Sequence, residues 1–170
     1  MGMQELSLAS NGMNQYHVPV LLNEVLEHLA PKPGQIFVDG TLGDGGHAEE
    51  ILERIAPNGV LLGIDLDQGA INRARARLAR FGDRFITERG NYRDLAAIAA
   101  RHGVRAANGI LLDLGISSAE LEESGRGFSF QKDEPLDMRL SGEGMTAAEI
   151  VNSAPRDELT RIFRLYGEER

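Results

Sequence analysis

The stretch Gln35 to His47, QIFVDGTLGDGGH, constrains this chain more than any other. Ile36, Phe37 and Val38 make an apolar run of strand length, Asp39 ends it, and Gly40, Gly43, Gly45 and Gly46 follow. Glycines placed after a buried strand form a loop that accepts positive φ and lets backbone close on a neighbour or a ligand, because glycine carries no Cβ. A helix is expected from His47, with Ala48 to Ile55 as its body. Strand, glycine loop and helix in that order bring helix N-terminal amides to a ligand. The acid at the strand's end restricts what that ligand is.

Short strands and helices alternate on either side of it, with no internal sequence repeat. Leu21, Leu22, Val25, Leu26 and Leu29 have helical spacing, with Pro19 suited to the first turn and Pro31 and Pro33 ending the helix. The turn Ala56-Pro57-Asn58-Gly59 releases a second strand, Val60 to Asp65, which again ends in an acid. A helix is predicted over Gln68 to Phe81, a third strand over Phe85 to Thr87, a helix from Ala96 to His102, and a fourth strand over Gly109 to Asp113. Short apolar strands alternating with helices predict an α/β, Rossmann-like fold whose parallel sheet is covered on both faces. Right-handed crossovers set strand four beside strand one. Its outer edge, Ile110-Leu111-Leu112, is too apolar to be left open. The sheet is therefore expected to be incomplete at four strands: either more strands of a longer protein lie beyond, or a partner covers the edge, as in a homodimer.

Residues 17–115 read as the cofactor-binding half of such a fold. From residue 116 to 145 glycine, serine and charge dominate, and a connection of that length in a compact domain is usually a functional loop. Thr146-Ala147-Ala148-Glu149 is a capping-box pattern opening one helix, and a second is predicted over Asp157 to Tyr166. Residues 1–16 read as a disordered leader outside the fold.

The chain has no cysteine, so disulfides and thiolate metal sites are excluded and a reducing cytoplasm suits it. Nothing in it approaches the length of a membrane-spanning helix. The formal net charge of −8 argues against a broad nucleic-acid footprint, yet nine arginines crowd between Arg73 and Arg105. A solvated helix face is the bland account of that row, and a basic edge touching RNA phosphate is the other.

Two ligand classes fit the glycine loop. Gly43-x-Gly45-x-x-Ala48, with Asp65 lying 22 residues after Gly43, matches the dinucleotide fingerprint in which an acid binds ribose hydroxyls. Against a pyrophosphate stand Asp39 and Asp44, whose carboxylates would repel it. S-adenosylmethionine has a sulfonium, an ammonium and a ribose but no phosphate, and is favoured on that ground over NAD. Tyr92, after strand three, could lie against an adenine ring. Asp39, Asp65, Tyr92 and Asp113 all fall at carboxyl ends of predicted parallel strands, where open α/β sheets bind ligands. Each has a plainer account: Asp65 as a helix N-cap near Gln68, Asp113 as a cap after strand four, His47 offering only its backbone N–H.

Six blocks in order resemble the bacterial 16S ribosomal RNA cytosine-N4 methyltransferases of the MraW type. They are His17-x-Pro19-Val20-Leu21-Leu22, Asp39-Gly40-Thr41-x-Gly43-x-Gly45-Gly46-His47, Leu111 to Ser118 (LLDLGISS), Arg126-Gly127-Phe128-Ser129-Phe130, Pro135-Leu136-Asp137-Met138-Arg139 and Tyr166-Gly167-Glu168-Glu169-Arg170. The resemblance implies S-adenosylmethionine as cofactor, a cytidine of 16S rRNA in the small ribosomal subunit as substrate, and a helical domain inserted after strand four, of which residues 146–170 would be the start. It further implies that Gly45, Gly46 and His47 contact the cofactor, Asp65 its ribose, and Tyr92 and Asp113 its adenine side or methionine end. Where that family usually has a glutamine, Ala119-Glu120 follows Ser117-Ser118 here, so that contact does not carry over.

For such a reaction Asp113 is the candidate acceptor near the cytosine amine, and Phe128 and Phe130 are candidates for stacking on a base drawn out of its helix, or for anchoring the loop. A nicotinamide-dependent oxidoreductase, and a fragment that binds cofactor without catalysis, are the rival readings.

Overall fold

A computed structural model describes residues 19–116, 121 and 125–169 of the chain. The leader, His17, Ser117 to Glu120 and Arg170 therefore lie outside the described residues. In chain order the elements are α1 (Leu22–Leu29), β1 (Ile36–Asp39), α2 (Gly46–Arg54), β2 (Val60–Asp65), α3 (Gln68–Arg77), β3 (Phe85–Arg89), α4 (Leu95–Arg101), β4 (Gly109–Leu111), α5 (Ala147–Ser153) and α6 (Arg156–Tyr166). The strands form one sheet of order β3-β2-β1-β4, with every pairing parallel. The fourth strand lies beside the first, as the crossover rule requires.

Side-chain alternation divides the core between the two faces. Phe37 and Leu61 join Ile51, Leu52, Ile71 and Leu78 of the α2–α3 side in one cluster. Val38, Leu62 and Ile64 join Ile98, Ala99 and Val104 of the α4 side in the other. Strand β2 feeds both, so its whole middle is apolar. Register sets Asp39 of β1, Asp65 of β2 and the residues after Leu111 of β4 along one end of the sheet.

Several boundaries depart from expectation. Pro19 does not open α1: Leu21 at φ 53 turns the chain before the helix begins at Leu22. The proline ring instead packs on Gly46, where a Cβ would stand 2.5 Å from Pro19 Cγ. The helix predicted to Phe81 ends at Arg77 and tightens into a 3₁₀ segment, Ala79–Arg84, broken at Gly82 (φ 55, ψ −134). Strand β4 stops at Leu111, not Asp113. Its partner β1 ends at Asp39, the last rung is the Gly40 N–H to the Leu111 carbonyl at 2.9 Å, and beyond it there is no strand to follow.

Much of the arginine row is engaged within the fold: Arg73 pairs with Asp44, Arg77 and Arg80 with Glu49, Arg80 with Glu53 and Arg101 with Glu88, while Arg75 donates to Thr87 Oγ1 and Arg84 to the Leu52 carbonyl. These side chains knit helices and loops together. The outer side of β4 has no strand partner among the described residues, and Ile110 is 50% and Leu112 45% exposed.

The irregular connection before α5 is held by its own hydrogen bonds. Arg126 Nη1 donates to the carbonyls of Arg139 (2.8 Å) and Leu140 (3.0 Å), and the Met138 N–H donates to the Arg126 carbonyl at 2.8 Å. Arg139 grips Asp137 through Nε (2.8 Å) and Nη2 (2.7 Å) and holds that carboxyl down at about 2. At Thr146 the capping box forms as predicted: the Glu149 N–H donates to Thr146 Oγ1 at 3.1 Å, and the Thr146 N–H donates to Glu149 Oε2 at 2.7 Å.

Candidate functional site

The carboxyl ends of β1, β2 and β4 enclose a cavity of about 510 Å³, within the range of small-molecule sites. Gly43, Gly46, His47, Asp65, Tyr92 and Asp113 are among the residues lining it, so six of the eight predicted cofactor residues meet there. Asp39 and Gly45 do not reach the cavity surface. Both stand directly behind it.

Asp39 closes β1 and is 1% exposed. Its Oδ1 accepts the Thr41 N–H at 3.1 Å. Burial, opposed by that amide and reinforced by the nearby Asp65 and Asp113 charges, pushes its carboxyl up to about 7. Thr41 in turn accepts the Asp113 N–H on Oγ1 at 2.7 Å. The buried Asp39 thereby fixes the threonine that fixes the backbone of the exposed Asp113. Gly45, at φ 79, packs downward, and a Cβ there would meet Leu78 Cδ1 at 2.9 Å.

Asp65 ends β2 and organises the loop as well as facing the cavity. Its Oδ2 accepts the Gly43 N–H at 2.8 Å and its Oδ1 the Asp67 N–H at 2.9 Å. The 22-residue spacing noted in the sequence is thus a direct hydrogen bond. Asp65 is not the cap of α3. Asp67 is, accepting from the Gly69 and Ala70 N–H groups at 3.2 Å each. The rule that a cap directly precedes the first helical residue would have picked Asp67 from the sequence.

His47 is the second residue of α2, in a first turn whose N–H groups have no intrahelical acceptor. Its ring is buried, and neither ring nitrogen has a hydrogen-bond partner. Nε2 stands 3.7 Å from Asp113 Oδ2, beyond hydrogen-bond reach. Burial draws the imidazole below its ordinary value, against the opposing pull of Asp113. Asp113 itself is exposed, its side chain at 56%.

Tyr92 follows β3 in a short 3₁₀ turn and is 41% exposed along the wall. It stands close because Gly40 has no side chain: a Cβ there would lie 3.1 Å from Tyr92 Cβ and 2.5 Å from Leu112 Cδ2. Phe128 and Phe130 are not among the lining residues. Phe128 is half-buried with the Arg126 guanidinium 5.4 Å from its ring centroid, and Phe130 is 98% exposed.

The charge pattern is milder than the sequence suggests. Asp44 lines the cavity but is paired with Arg73 at 2.8 Å, and Arg77 lines it too while holding Glu49 at 2.7 Å. Asp65 and Asp113 carry the negative field, with Asp39 behind them. An enclosure with carboxylates at two strand ends, helix N-terminal amides and a half-exposed aromatic fits a ribose-bearing, cationic ligand. Leu66 and Leu140 also line it, and no local pattern in the sequence marks Leu140, which arrives from the irregular connection.

Comparison with known proteins shows the family. The sequence model of the MraW methylase family matches residues 14–170. Ribosomal RNA small subunit methyltransferase H of Syntrophotalea carbinolica is 53% identical over 155 residues, covering 91% of this chain and 49% of its own length. The proteins of the same name from Carboxydothermus hydrogenoformans (52%, 91% and 49%) and Geobacter sulfurreducens (50%, 91% and 50%) are similar to the same extent. Among solved structures, a SAM-dependent methyltransferase from Aquifex aeolicus is 18% identical, over 41% of this chain and 38% of that one, at a TM-score of 0.37, a likeness too slight to bear on function. The chain spans about half the length of the curated relatives it matches. With the family match covering nearly the whole sequence, from ahead of α1 to beyond α6, the chain belongs to the MraW methylase family.

Proposed function

We propose that this chain carries the cofactor site of an S-adenosylmethionine-dependent methyltransferase acting on the exocyclic N4 amine of a cytidine in 16S rRNA of the small ribosomal subunit. The observation that carries the reading is the meeting of Asp65, Asp113, Tyr92 and the start of α2 around one cavity. When bound, the cofactor would supply an activated methyl group on a sulfonium. Asp65 would accept from the ribose hydroxyls while keeping its grip on Gly43 and Asp67, and Tyr92 would lie against the adenine. The backbone at Gly46 and His47 would face the methionine end, with Asp39 and Gly45 supporting the loop from behind.

Asp113 borders this end and is the acceptor we assign to the amine. A cytosine amine is a weak nucleophile because its lone pair is shared with the ring, so an oriented acceptor and close approach matter more than a strong base. Phe128 and Phe130 are proposed to meet the extruded base; Phe130 is exposed enough to do so directly. No described helix is long and apolar enough to cross a membrane. The reaction is assigned to the cytoplasm, where small subunits are found.

Calorimetric titration with S-adenosylmethionine and with NAD tests the cofactor, and the reading expects binding of the first alone. Binding of NAD alone would return the site to a nicotinamide-dependent oxidoreductase. Transfer of labelled methyl to small ribosomal subunits, followed by mapping of the modified nucleotide, tests the substrate, and label on anything but a cytidine N4 sinks that part of the proposal.

A further inference from the structure

Arg89 closes β3, and its guanidinium joins two segments that wall the cavity. Nε donates to the Leu66 carbonyl at 3.1 Å, while Nη2 donates to the Ser141 carbonyl at 2.7 Å and to Glu143 Oε1 at 3.2 Å. Leu66 follows Asp65 and lines the cavity; Leu140, the neighbour of Ser141, lines it as well. The irregular connection that carries Leu140 is stapled internally by Arg126 and Arg139, and it is joined to α5 through the Ala147 and Ala148 N–H groups, which donate to the carbonyls of Asp137 and Leu136. It moves, if at all, as a unit. A guanidinium is suited to set its place, because two donors on a rigid fork fix two carbonyls at once, whereas an ammonium holds them on a flexible stem.

We infer that Arg89 is a positioning residue for the cofactor site: by tying the Ser141 backbone to Leu66 it fixes Leu140 against the ribose-binding end of β2. The inference rests on the cofactor reading above and gives a task to one member of the arginine row. The backbone acceptors carry the effect. The Glu143 partner, 78% exposed, is screened by solvent and adds little.

Arg89→Ala, Arg89→Lys and Glu143→Ala, made in the 170-residue chain, separate these contributions. S-adenosylmethionine affinity is read by calorimetry, and amide hydrogen exchange is read over residues 139–145 and over β1 and β2. Expected are a Kd about tenfold weaker in both Arg89 variants and within about twofold of wild type in Glu143→Ala, as two charge-assisted bonds against one exposed pair would give. Amides 139–145 should exchange faster in the Arg89 variants while β1 and β2 keep their protection, an outcome that general destabilisation would not produce. If Arg89→Ala does not fold, Arg89→Lys decides alone. Binding by the Arg89 variants within about twofold of wild type overturns the inference and leaves the cofactor reading intact. Failure of the wild-type chain to bind S-adenosylmethionine overturns both.

Discussion

Asp39 has the most consequential environment of any single residue here. Its folded-state pKa of about 7 stands above the ordinary 3.8 because burial penalises the anion. The folded chain therefore binds this proton more tightly than the unfolded chain. The contribution to stability is greatest below about pH 4 and declines as pH rises to about 7. Asp39→Asn, which keeps an acceptor for the Thr41 amide, should abolish that decline and gain on the order of 2–4 kcal/mol on wild type between pH 4 and pH 8, by denaturant unfolding at each pH. The glycines make an equally local test. Gly45→Ala places a Cβ against Leu78 at positive φ, and Gly46→Ala drives one into Pro19. Each should cost about 1–3 kcal/mol and weaken cofactor binding, while Gly115→Ala, with no protein atom near its added Cβ, should leave stability unchanged. Most of the site was legible at this scale, since an acid or a glycine after a strand has few uses. Thr41 was not, because a threonine that relays hydrogen bonds between two acids looks like any loop threonine.

Among the elements, the caps separate what local pattern can specify from what it cannot. The Thr146–Glu149 box was readable because both partners lie within one turn. Asp67→Ala should cost about 1 kcal/mol through loss of the α3 cap, with a further effect on the cavity wall at Leu66, whereas Thr146→Ala should cost about the same with cofactor binding unchanged. Thermal melts read the first effect and calorimetry the second. The start of α1 and the end of β4 were misjudged because each is set by a distant contact: Pro19 is engaged by Gly46, and β4 stops where β1 gives out. The end of α3 was misjudged because the chain tightens locally into a 3₁₀ segment after Arg77.

At the scale of the whole molecule, the exposed apolar edge is the main unsettled surface. Ile110 of β4 and Leu112 just after it leave about half their area to solvent beside a strand that has no outer partner among the described residues, a pattern that invites edge-to-edge pairing. Concentration-dependent self-association is expected in sedimentation, and Ile110→Lys should reduce it; association unchanged by the lysine would mean that another surface is responsible. The sequence by itself determined the parallel sheet, its strand order, the apolar edge and the family, because periodicity, crossover handedness and short motifs are local or nearly so. Tertiary structure alone decided which acids face the cavity and which stand behind it, that Asp44 is neutralised by Arg73, and that Arg89 and Leu140 belong to the wall. Each of these depends on residues far apart in the chain meeting at one distance, and that distance is set by the packing of the whole sheet.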